Sequence, residues 1–155
     1  MEFPYQLIDF DSQGERFSLV VNSIDVGTSA TKQYGVTGAF FSAILDVPGV
    51  NANISCDFTL GNLYEFYNQL KECCEKVAGN AILKDYSSQN TMLEIGFINK
   101  TGHVDINGKL VNKGTKNMIG FAFNADQTYI TPILASLKSF FDELTEIQGF
   151  GAFPY

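Results

Sequence analysis

At Thr59 the hydrophobic period of the chain changes. Before it, Val50, Ala52, Ile54, Cys56 and Phe58 alternate with Asn51, Asn53, Ser55 and Asp57. A spacing of two places the apolar groups on one strand face and the polar groups on the other. After it, Leu63, Phe66, Leu70, Cys73 or Cys74, and Val77 recur at helical spacing and form one apolar stripe. The Thr59 hydroxyl suits the cap between the two, because it can accept from a free N–H of the first turn. Gly79-Asn80 supplies the stop.

The same switch occurs again later. Ile119, Phe121 and Phe123 alternate as a strand. Ile130, Ile133 or Leu134, Leu137, Phe140 or Phe141, and Leu144 then form a second helical stripe. Thr131-Pro132 reads as an N-cap followed by Pro at the first helical position. Chains that alternate strands with long amphipathic helices must bury both kinds of apolar surface, which gives the α+β class.

Further strands complete each half. Phe17, Leu19 and Val21 alternate, and residues 34–47 read as a longer, central strand closed by Pro48-Gly49, a type II turn. In the second half Leu83 lies in a short strand, and Leu93, Ile95 and Phe97 alternate up to the turn Asn99-Lys100-Thr101-Gly102. Val104, Ile106 and Leu110 keep one parity across Asn107-Gly108. That favours an unbroken strand with a bulge over a hairpin at Asn107-Gly108. Asn112–Lys116 is the next turn. The reading is a single α+β domain over 1–155, with one strand-rich half at about 1–78 and another at 80–146. An aromatic tail, 147–155, is either packed across a surface groove or disordered, and packing is favoured because exposed aromatics are costly. The helices are expected to cover one sheet face. The face bearing Asn51, Asn53, Ser55, Asp57, His103, Asp105, Asn107 and Lys109 stays wet.

Composition removes several functions. Nine scattered Lys and one Arg, with a net charge of -7, do not make a phosphate-binding surface, so direct nucleic-acid binding is not expected. No apolar run reaches the roughly 18 residues of a membrane span. The start MEFPYQLIDFDSQ has no basic and apolar leader, and three unpaired Cys suit a reducing compartment; a cytoplasmic protein is expected. One His, without a Cys pair or a carboxylate-rich loop, leaves no metal-ligand set, and no cofactor is expected. His103 and Asp105 share a strand face, but about 7 Å of axial separation is too long for a working acid–base pair. Cys56 and His103 fall on opposite faces, and no Gly-x-Ser-x-Gly elbow is present. No enzymatic activity is expected. Asp126-Gln127-Thr128-Tyr129 is a junction in which Asp126 caps the second helix and Tyr129 anchors it, or else a rim that touches a partner.

Three blocks carry a family resemblance: Phe58–Phe66, Gly102–Leu110 and Phe121–Tyr129. In their order the chain resembles the WapI-type family of bacterial immunity proteins over most of residues 15–145. The resemblance implies a non-catalytic protein that binds and neutralises a toxin domain, often a nuclease with a basic cleft. An acidic chain then has a purpose, because its carboxylates can steer association and stand where substrate phosphates would. Physics rather than the family supplies the expected contact residues. They are Asp9, Asp11 and Glu15 in the acidic start, and Asp57, His103, Asp105, Asp126 and Gln127 on the polar strand face and junction. The competing reading is a small-ligand-binding or structural α+β module, homodimeric through a strand edge. A monomer or a weak homodimer is expected.

Overall fold

The computed structural model describes residues 1–25, 38–56, 58–85, 89–98 and 100–146. Its elements are β1 (Tyr5–Ser12), β2 (Glu15–Asp25), β3 (Gly38–Val47), β4 (Val50–Cys56), α1 (Leu60–Lys76), β5 (Gly79–Lys84), β6 (Thr91–Ile98), β7 (His103–Val111), β8 (Met118–Asp126) and α2 (Gln127–Glu146). They form an α+β fold with two four-stranded antiparallel sheets, β1-β2-β3-β4 and β5-β6-β7-β8. Each sheet is a meander followed by one helix, as the two period switches predict. The proposed packing of the 147–155 tail lies outside the described residues.

Parity decides the buried faces. Phe17, Leu19, Val21, Phe41, Ala43 and Leu45 line the inner face of the first sheet, and Leu93, Ile95, Val104, Ile106, Phe121 and Phe123 that of the second. The two inner faces meet in one core. Phe10 stacks on Phe123 with ring centroids 5.0 Å apart, and Phe17 on Phe121 at 4.9 Å. Such pairs add about 0.5–1.5 kcal/mol each beyond the area they bury. The stripes Leu63-Phe66-Leu70-Cys73 and Ile130-Ile133-Leu137-Phe140-Phe141-Leu144 close the same core.

The helices do not blanket one sheet face. α1 packs along β5 and α2 along β1, and the helices touch each other. Both strands are sheet edges, whose unpaired backbone groups need partners. The Gln69 side-chain oxygen accepts from the Ile82 N–H of β5 at 2.9 Å, and the Ser136 hydroxyl donates to the Gln6 carbonyl of β1 at 2.8 Å.

Several boundaries differ from the sequence reading. β1 escapes the parity rule because its register slips between Gln6 and Ile8, so that Leu7 and Ile8 are both buried. β3 begins at Gly38, and residues 34–37 lie outside the described residues. α1 is capped as expected. The Thr59 hydroxyl accepts from the Asn62 N–H at 3.0 Å, and the Asn62 side-chain oxygen accepts from the Thr59 N–H at 3.0 Å. Its left-handed stop is Val77 (φ 50°), two residues ahead of Gly79. α2 starts at Gln127, so Pro132 lies inside the helix rather than at its first position.

Candidate functional site

Of the sequence-derived contact residues, Asp9 and Asp11 lie on the outer face of the first sheet, His103, Asp105 and Asp126 on that of the second, and Gln127 opens α2. On the outer face of the first sheet, strand pairing sets Asp11, Arg16, Asp46 and Asn51 in one cross-strand row, and Asp9, Ser18, Ile44 and Asn53 in the next. Asp9 holds Arg16 by two bonds, Nε to Oδ1 at 2.9 Å and Nη2 to Oδ2 at 3.3 Å. The same Asp9 Oδ1 accepts from the buried Ser18 hydroxyl at 3.1 Å. The bonds to Asp9, with the fields of Asp11 and Asp46, push the Arg16 guanidinium further into its charged form. Three carboxylates thus surround one cation, on a face whose centre carries half-buried Val20 and Ile44. Asp46 belongs to this group and escaped the sequence reading. Its place is visible only once β3 is registered against β2.

Glu15 has the opposite parity to Arg16, so it leaves that face and sits half-buried at the β1–β2 hairpin. Asp57 lies outside the described residues.

His103, Asp105 and Asp126 are on the outer face of the second sheet. His103 pairs across β7–β8 with Asp126, and Asp105 with Asn124. The expected single wet face is therefore two: Asn51, Asn53 and Ser55 belong to one sheet, His103 to Lys109 to the other. Alternation reports which side of a strand a residue occupies and is silent on which sheet holds the strand. Because the inner faces pack together, the outer faces point away from each other.

The Asp126 junction is a helix cap. The Thr128 N–H donates to Asp126 Oδ1 at 2.8 Å, and the Thr128 hydroxyl donates to the same oxygen. These bonds, with a smaller pull from His103, hold the carboxyl below its ordinary range. The Gln127 N–H donates to the Gly102 carbonyl at 2.9 Å, and its side-chain nitrogen to the Cys74 carbonyl at 3.5 Å. The Tyr129 hydroxyl donates to Ser12 Oγ at 3.2 Å, which anchors α2 to the first sheet. Asp126→Ala should lower Tm by a few degrees, while Asp126→Asn keeps most of the loss from appearing, because the amide oxygen still accepts from Thr128. The depressed pKa means this contribution is complete above the unfolded carboxylate range, near 4, and is lost as pH falls through the lower folded value. Thermal melts of both variants between neutral and acid pH check this; equal losses for Ala and Asn would count against a cap.

The remaining chemistry is sparse. Cys56 is half-buried, and desolvation pushes its thiol up to about 12; burial also raises Cys73 and Cys74. Thiols held in the protonated form are poor nucleophiles. Among the described residues no group of three His, Cys, Asp or Glu could hold a metal ion. No helix is long and apolar enough to cross a membrane. A polar cleft of about 340 Å³ runs between α1 and β5, lined by Asn62, Glu65, Gln69, Ile82, Lys84 and Gln89.

An α+β protein with two charged, outward sheet faces is the class these features define. The sequence model of the immunity protein WapI-like family matches residues 41–145, from β3 to the last turns of α2, and the chain belongs to that family. Membership of an immunity family implies a toxin as the protein to be bound. No curated protein and no solved structure matches the chain.

Proposed function

We propose that this chain, acting as one cytoplasmic domain, neutralises a cognate bacterial toxin domain by binding it, without catalysis. The observation that carries the reading is the family match over residues 41–145. The acidic balance of -7 supports a basic partner surface, such as a nuclease cleft. The outer face of the first sheet is the proposed contact. It gathers Asp9, Asp11 and Asp46 around Arg16, beside the half-buried Val20 and Ile44, so that charge borders a drier patch. His103 and Asp105 face the other way and are left out of this contact, while Asp126 and Gln127 are engaged in holding α2.

The test is co-expression with the toxin domain encoded beside this chain's gene. Survival of the host, and a 1:1 complex that weakens as salt rises, are expected. Host death with both proteins present, or a complex indifferent to salt, would refute the reading.

A further inference from the structure

We infer that two copies of this chain pair through β4, antiparallel, about a two-fold axis at Asn53. The first ground is a backbone edge with no partner. The two-residue turn Pro48-Gly49 makes Val47 and Val50 the closing pair of the β3–β4 hairpin, and such a pair exchanges both its hydrogen bonds. Bonding alternates from there. Val50, Ala52, Ile54 and Cys56 spend their backbone groups on β3. Those of Asn51, Asn53 and Ser55 point off the sheet, and all three residues are exposed. Among the described residues no hydrogen bond engages them.

The second ground is that the β4 sequence lacks what protects an edge, and the cleft that Asn53 shares with Asn112, Thr115 and Asn117 of the β7–β8 turn is about 290 Å³. The strand, VNANISC, has no charge, Pro or Gly, and its register with β3 has no bulge. The other edges differ. β1 and β5 carry register shifts and lie under helices. β8 has Gly120 in its middle and Asp126 at its end.

The third ground is that β4 suits its own copy. A two-fold axis at Asn53 sets Asn53 against Asn53, and Asn51 against Ser55, so no like charges oppose each other. The antiparallel direction also brings the Val50 end of one hairpin, beside Asp46, to the Cys56 end of the other. There Asp85 and Lys109 both line a small cavity with Ile54, Ser55 and Cys56, so that end presents an anion and a cation together. A two-fold axis normal to the sheet keeps both outer faces on the same side. Pairing depends on the fold alone, so it is separable from toxin binding.

Sedimentation equilibrium of the full chain over a wide concentration range tests this. A dimer that gains on the monomer with concentration is expected. Asn53→Lys should hold the chain monomeric, because the two lysines would face each other across the axis. Asn51→Lys should weaken the dimer less, since it meets Ser55 instead. Asn124→Lys, on the open edge of β8, should leave it unchanged. All three positions are exposed, and an unchanged Tm shows that the variants fold. A wild-type chain that is monomeric at every concentration overturns the inference. So does a dimer that survives Asn53→Lys, or one that Asn124→Lys abolishes.

Discussion

Gly108→Ala is expected to destabilise the fold by about 3 kcal/mol or more, roughly 6–12 °C in Tm for a chain of this size. Gly108 lies on the inner face of β7, opposite Phe121. A Cβ there would stand 2.0 Å from the Met92 carbonyl oxygen and 2.7 Å from the Phe121 ring. Main-chain atoms cannot rotate aside as a side chain can. The cause is a bulge in the neighbouring strand. β5 pairs Leu83 with Leu93 but Lys84 with Thr91, which leaves Met92 as an extra residue. Its side chain is buried beside that of Leu93, and its carbonyl fills the space a side chain at 108 would need. Gly96→Ala offers a contrast. Its Cβ would meet only the Asn80 side-chain oxygen, at 2.9 Å, and that amide can turn away. Denaturant titrations of both variants check the difference; equal losses would mean that β6 shifts freely and that the bulge is soft.

Gly108 also marks where reading by alternation works and where it stops. Parity across Asn107-Gly108 says that β7 continues, and it does, in regular register with β8 from His103 to Val111. The irregularity that parity led one to seek in β7 lies in its partner β6, where Met92 and Leu93 simply look like two apolar residues. β1 is hidden for the same reason, since adjacent buried Leu7 and Ile8 break the period of two. Caps were legible at Thr59 and at Asp126 because they need only a polar oxygen and the N–H groups of one turn. Sheet membership was not, because it depends on chain direction after each turn. Cross-strand register is equally silent: Asp46 joins Asp9 and Asp11, and Glu15 leaves them, only once the strands are paired. The family blocks at 58–66, 102–110 and 121–129 all fall inside the matched span.

If the first sheet's outer face meets the toxin, Asp11→Lys with Asp46→Lys should slow association by about 10- to 100-fold at low salt, with a smaller change in dissociation. These two carboxylates are the right ones to reverse. Both are exposed, and both act on Arg16 only through their fields. Asp9 must stay, because it satisfies the buried Ser18 hydroxyl as well as Arg16. Folding should therefore be nearly unaffected, and Arg16 would still have its partner. A control separates a local face from overall charge. Glu75→Lys with Glu146→Lys makes the same change, from -7 to -3, on exposed helix positions away from that face. Coulomb interaction weakens with distance, so charges reversed away from the contact disturb the encounter less than charges reversed at it. The control should lose less than about threefold, and the gap between the two pairs should narrow as salt is added. Equal losses would mean that net charge alone steers the encounter and would remove the first sheet as the contact. A loss confined to Asp11 and Asp46 would place the toxin over the row that runs from Asp11 through Arg16 to Asn51.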